Sequence, residues 1–211
     1  ARGKPEESMR QAPSGGSDVS KVQTESYANV SYGPDGLELL AKGKSARETV
    51  ETLTSADRNK QRRQLGIVDA KGNSASFTGS DCHDWAGHIE KPHFCAQGNI
   101  LTGKEVVDVM AASFEQSKKQ AKGGLCDWLA NALMAGQDAG GDSRGRQSAA
   151  LLVVRKKGGY GGGNDRFIDL RVDDHKTPIA ELRRLLQLHK NLFKRAHETK
   201  ANLVCRLLLE K

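Results

Sequence analysis

The sequence predicts an α/β (α+β) protein in which antiparallel sheets lie among helices, and three observations predict it. Short apolar segments come in pairs split by tight polar turns, the mark of β-hairpins. Around them, apolar residues recur at three-and-four spacing, as on half-buried helices. Consecutive hairpins imply antiparallel pairing, which excludes a doubly wound parallel sheet.

The elements follow in order. Residues 1–23 combine Pro, Gly, Ser and mixed charge with almost no large apolar side chain, and read as a disordered leader. From Tyr32, Gly33-Pro34 opens a helix carrying Leu37, Leu39, Leu40 and Ala41, and Gly43 closes it. Ser45-Ala46-Arg47-Glu48 is a capping box, with Val50 and Leu53 continuing the buried stripe of a second short helix. A hairpin follows: Gln64 to Asp69, a turn at Ala70 to Asn73, then Ser74 to Gly79. A further strand is expected at His93 to Gln97. Two helices come next, from Lys104 with Val106, Val109, Met110 and Phe114, and from Leu125 with Trp128, Leu129, Ala132 and Leu133. The apolar run at Ser148 to Arg155 suits a central strand covered on both faces, with Arg166 to Val172 as its partner. Thr177-Pro178 then caps a long helix, with Leu182, Leu185, Leu186 and Leu192 toward the body and Arg183, Arg184, Lys190 and Lys194 outward.

Composition narrows the function. The longest apolar run, Ala149 to Val154, spans six residues, against the ~18 to 20 needed to cross a bilayer, so no membrane partner is expected. The formal net charge is +7, but residues 178–211 carry eight Lys/Arg against three acids and so hold most of the excess. Such localisation describes a solvated basic helix face, and nucleic acid is not the expected partner. Four cysteines, Cys82, Cys95, Cys126 and Cys205, are too sparse for a disulfide scaffold and fit the cytoplasm or another reducing compartment.

Four clusters bear on chemistry. Cys82, His83, His88, His93 and Cys95 are ligands that zinc accepts, but they lack the paired C-x-x-C or H-x-x-x-H spacing that fixes two ligands on one turn. They read as a structural loop, and no metal is expected. The joint Gly140 to Ser148 places Asp142, Arg144 and Arg146 before the apolar strand. These side chains either hold an anionic or carbonyl group or form a helix cap with a local salt bridge. The run Gly158 to Asp165 lies between strands and not before a helix, so it reads as a hairpin turn and not a phosphate loop. Asp169, Arg171 and Asp173 alternate onto one sheet face beside Asp174 and His175, as a charged strand edge does. No cofactor is expected.

Several motifs occur together in order. They are Tyr27-Ala28-Asn29 with Tyr32-Gly33-Pro34; Phe77-Thr78-Gly79-Ser80 with Cys82 and Trp85-Ala86-Gly87-His88; Gln97-Gly98-Asn99-Ile100-Leu101; Ala139-Gly140-Gly141-Asp142 with Arg144-Gly145-Arg146-Gln147-Ser148; Gly159-Tyr160-Gly161 with Asn164-Asp165-Arg166; and Asp169 to His175. This pattern resembles the domain-of-unknown-function 1028 family, placed in the N-terminal-nucleophile (Ntn) hydrolase superfamily. The resemblance implies a four-layer αββα sandwich over residues 24–193, with 194–211 as a helical extension. It also implies a mechanism in which a leading Thr, Ser or Cys uses its own α-amino group as base, because that group titrates near neutrality.

Members of the resembled family open with a strand bearing the nucleophile and a second strand. Here the polar leader stands in their place and Ala1 offers no nucleophile. Three readings follow. The first is a diverged or truncated Ntn-like protein without intact hydrolase chemistry, a pseudoenzyme or a piece of an assembly or homo-oligomer that supplies the absent strands. The second is an amide-bond hydrolase formed by cleavage before Thr24 or Ser26, with Asn29, Gln97, Asn99, Asp142 and Arg144 as positioning groups. The third is a non-catalytic module that uses the basic terminal helix. Leu203, Val204, Leu207 and Leu208 add apolar surface for an oligomer.

Overall fold

The computed structural model describes residues 21–198. The expected leader ahead of residue 21 and the extension beyond residue 198, with its four apolar residues, lie outside the described residues. The chain runs through β1 (Lys21–Ser26), α1 (Tyr32–Ala41), α2 (Ala46–Ala56), β2 (Arg63–Val68), β3 (Ser74–Thr78), β4 (Gly87–Lys91) and β5 (Phe94–Gly98). It continues through α3 (Lys104–Gln120), α4 (Leu125–Asp138), β6 (Ala149–Val154), β7 (Arg166–Val172) and α5 (Pro178–Glu198).

All strand pairing is antiparallel, in a three-stranded sheet β1-β2-β3 and two hairpins, β4-β5 and β6-β7. Register sorts the faces of the first sheet. Val22, Thr24, Leu65, Ile67, Ala75 and Phe77 share one face, because directly paired residues point the same way. There Val22, Leu65, Ile67 and Ala75 join Tyr32 and Leu37 of α1 and Ala46, Val50 and Leu53 of α2 in one core. The capping box forms: Ser45 N–H donates to Glu48 Oε2 at 2.8 Å, and Glu48 N–H donates to Ser45 Oγ at 3.3 Å. Asp69 ties the β2–β3 turn to α2 by accepting from the amides of Ala46, Lys71 and Asn73.

The opposite face carries Gln64, Gly66, Ser76 and Thr78, and the hairpin β4-β5 lies on it. Small residues allow the close approach: a Cβ on Gly66 would sit 2.4 Å from Gln97 Oε1. The hairpin turns its other face to α3, where the Phe94 and Phe114 rings lie 4.7 Å apart. A second core joins Cys126 and Ala130 of α4, Leu151 and Val153 of β6, Ile168 and Val172 of β7, and Leu182 and Leu186 of α5.

Two expectations are corrected. Among the described residues the strand at Ala149–Val154 is not central: it pairs with β7 alone, and Leu151 and Val153 are buried while Ala150 is exposed. Its unbroken apolar run therefore has one covered face. The three-residue start Lys21–Gln23, read as leader, belongs to β1, where Val22 enters the core. Strands β1 and β4 escaped the sequence reading because polar residues dominate both.

Candidate functional site

One end of the molecule gathers its polar chemistry. Here β1 finishes, β2 and β4 begin and β5 finishes. Ser26 has φ of 67°, a left-handed value that turns the chain off the strand. The Asn29 carboxamide oxygen then accepts from Ser31 N–H at 3.2 Å and Ser31 Oγ at 2.9 Å, a local Asx turn. Its Nδ2 donates to Asp57 Oδ2 at 3.3 Å. The same carboxylate accepts from Tyr32 Oη and from Arg63 Nε, each at 3.0 Å, while an Arg63 terminal nitrogen donates to the Tyr27 carbonyl.

Asp57 and Arg63 are largely buried, with side chains 10% and 17% exposed. Burial pushes the Asp57 carboxyl up, but the Asn59 amide, the Arg63 guanidinium, Tyr32 and Asn29 outweigh it and hold the pKa at about 2. Burial, reinforced by the Asp57 carboxylate, pushes the Tyr32 phenol above its ordinary value. The network is therefore a charged anchor at neutral pH, with Asp57 ionised and the Tyr32 phenol protonated.

Between the sheets, Gln64 Nε2 faces three acceptors: Thr78 Oγ1 at 3.0 Å, Gly87 O at 3.1 Å and Gly98 O at 2.9 Å. Beside it lie buried side-chain atoms without protein partners: Gln64 Oε1, Ser76 Oγ, both polar atoms of the Gln97 carboxamide, and Asn99 Oδ1. Each such group costs about 1–3 kcal/mol if left dry. Replacing Gly66 by Ala drives a methyl against the Gln97 carboxamide and Cys95 Sγ. We expect a loss of about 1–3 kcal/mol in urea unfolding, because the buried seam has little room to yield.

The segment after α4 closes this end. Residues 100–102 pair with Trp85 on one side and with 141–143 on the other. Leu101 N–H donates to Trp85 O at 3.0 Å, Thr102 N–H to Gly141 O at 3.0 Å, and Ser143 N–H to Ile100 O at 2.9 Å. Asp142 accepts from Arg144 Nε at 2.9 Å and Nη2 at 2.6 Å, a local bidentate pair. The pair shifts both groups: burial raises the Asp142 carboxyl but the Arg144 guanidinium lowers it further, and Arg144 is raised in turn.

The candidates thus separate. Gln97, Asn99, Asp142 and Arg144 follow one another along β5 and its flanking segment, whereas Asn29 belongs to the Asp57 network. Thr24 lies within β1 opposite Leu65, buried at 7% exposure on the α1–α2 face, and Ser26 ends the strand opposite Arg63. Their hydroxyl oxygens are buried without partners. Cys82, His83, His88, His93 and Cys95 form no metal-binding group among the described residues. His88 meets Thr78 Oγ1 at 2.8 Å, His93 lies over Gly72, and Cys82 Sγ donates to Arg63 O. On α5, Arg183 and Arg184 are exposed as expected, Arg184 pairing with Glu181 along the same helix, whereas Lys190 turns to Asp127 of α4; the Lys194 side chain lies outside the described residues. Among the described residues, no helix is long and apolar enough to cross a membrane. Sequence reasoning missed Asp57, Arg63 and Gln64; Asp57 and Arg63 stand among other charges with no spacing that marks them, and Gln64 was read only as a strand position.

Helices covering small antiparallel sheets, with polar side chains collected at one end, define a mixed α/β protein. The chain belongs to DUF1028, a family of unknown function, whose model matches residues 10–182. It is similar to the solved structure of protein SPO2555 from Silicibacter pomeroyi, which carries the same family name. The two share 30% identity with a TM-score of 0.68, over 79% of this chain and 70% of that one. No curated protein matches the chain.

Proposed function

We propose that the chain is an Ntn-hydrolase-like four-layer scaffold that has no acylating nucleophile in its folded unit, and that it acts as a non-catalytic component. The order α1–α2, sheet β1-β2-β3, hairpin β4-β5, α3–α4 supports the layered reading. The observation that carries the loss of chemistry is the position of Thr24. An Ntn nucleophile needs a free α-amino group beside its own hydroxyl. Freeing Thr24 would cut β1 in its middle, strip Val22 from the core and place a new ammonium group at a buried position. Freeing Ser26 would remove all of β1 ahead of it.

The test is intact-mass spectrometry after incubation with a β-lactone acylating probe. The expected mass is that of the unmodified 211-residue chain. An adduct on Thr24 or Ser26 of a chain cleaved before that residue would overturn the proposal and establish the amide-bond hydrolase reading.

A further inference from the structure

The end of α4 away from residues 141–143 collects positive charge from segments far apart in the chain. Asp127, in the first turn of α4, holds Lys190 of α5. His189, beside that lysine, meets the backbone of Phe167 near the start of β7, and Arg155, just past β6, lies 3.8 Å over the Phe167 ring. The Lys122 carbonyl accepts from Trp128 Nε1 at 3.0 Å and so fixes the α3–α4 link to the same turn of α4. These contacts set that link and the β6–β7 turn on one surface. Lys118, Lys119 and Lys122 stand on the link side, and Arg155, Lys156 and Lys157 open the β6–β7 turn; all six are exposed.

The acids around them are engaged elsewhere. Asp127 holds Lys190, Asp169 holds Arg166 and Glu115 holds Lys91. Asp165 turns onto the Lys157 amide, accepting from it at 2.8 Å. The six cations therefore set up a positive field toward solvent.

In the middle of the β6–β7 turn stands Tyr160, 80% exposed, the barest large apolar side chain among the described residues. Gly158 and Gly159 precede it and Gly161, Gly162 and Gly163 follow, so no adjacent side chain covers either face of the ring. The turn is shaped all the same: Gly159 N–H donates to Asn164 O at 2.9 Å and Gly162 N–H to Gly159 O at 3.0 Å. Gly161 and Gly162 take φ of 62° and 73°, values that glycine adopts without strain. An uncovered aromatic ring is thus presented beside three of the cations.

From this arrangement we infer that this end of the molecule binds single-stranded nucleic acid, with Tyr160 stacked on an unpaired base and the cations along the phosphates. Both halves of the surface suit such a strand, since every base has a π-face and each neutralised phosphate releases counterions. Charge counted along the chain pointed away from nucleic acid, because only the fold joins the cations of the two segments. Duplex DNA offers phosphates but keeps its bases stacked inside, so it engages the cations alone. An anionic bilayer takes a continuous apolar face, and the neighbours of Tyr160 are glycines. Neither Thr24 nor Ser26 takes part, so an acyl adduct in the mass experiment leaves this surface as it is.

The test is fluorescence anisotropy of the 211-residue chain with labelled oligo(dU) and oligo(U) of about 20 nucleotides, against a duplex of the same length. At least one single strand should bind, and its affinity should fall about 50-fold between about 50 and 200 mM salt, as for about four phosphates at a slope near 0.7 each. Tyr160→Ala should weaken that binding about tenfold and leave the duplex unaffected, and Tyr160→Phe should restore it. Lys156→Ala with Lys157→Ala should lower the salt slope by about 1.4. Absence of single-strand binding at the lower salt, or binding indifferent to Tyr160→Ala, would overturn the inference. A loss confined to Arg183→Ala with Arg184→Ala would overturn it by moving the contact to α5. Capture by phosphatidylserine vesicles that Tyr160→Ala abolishes, with neither oligonucleotide bound, would overturn it in favour of a membrane surface. A preference for one of the two strands supports the inference and tells DNA from RNA.

Discussion

Asp57→Ala lowers the stability of the protein by about 3–5 kcal/mol, because it leaves the largely buried Arg63 guanidinium without its counter-charge and the Tyr32 hydroxyl without its acceptor. Urea unfolding should show the midpoint falling with little change in slope. The double variant Asp57→Ala with Arg63→Met should recover most of the loss, since removing both charges removes the orphan. A loss that persists in full in the double variant would show that the ion pair is not the cause.

The same group sets an acid limb. Its folded pKa is about 2 against an ordinary 3.8, so its contribution is complete above about pH 4 and is lost as pH falls through 2, a change worth about 2 kcal/mol. Asp57→Asn should flatten that limb between pH 4 and 2 while the remaining carboxylates keep theirs. An unaltered pH profile would show that Asp57 does not control it.

Leu65→Ala is the second large effect. Leu65 has no exposed surface and stands in the middle of β2, with Phe77 and Thr24 on either side and the helices α1 and α2 above. Truncation forfeits the transfer of the removed carbons and leaves a cavity that two helices and three strands cannot collapse, for about 2–5 kcal/mol. Leu188→Ala, at an exposed site on α5, should stay within about 0.5 kcal/mol. Equal midpoint shifts for the two variants in urea would contradict this placement of the core.

The legibility of the fold followed local physics. The helices announced themselves by period and by caps such as Ser45 with Glu48, and the hairpins β2-β3 and β6-β7 by their turns. Strand β4, with His88, Glu90 and Lys91, looked like a polar loop because its pairing partner and the sheet beneath it supply the order, and neither is local. The run Ala149–Val154 misled in the opposite direction: hydrophobicity reports what a strand tolerates on each face, not how many neighbours it has. Of the site, the Asp142–Arg144 pair was readable because its partners are two residues apart. The Asp57 network joins Asn29, Tyr32, Asp57 and Arg63, and a contact between such distant charged and polar residues leaves no periodic trace.

The two cores draw on nearly separate stretches, one from Val22 to Ala75 and the other from Cys126 to Leu186. Each closes modest loops, so the entropic toll of its assembly is low and neither waits on the other. The contact expected to form last is the docking of the polar face of β4-β5 onto its sheet, because it desolvates the Gln64 and Gln97 carboxamides; refolding followed by pulsed hydrogen exchange should show 87–98 protected after both cores.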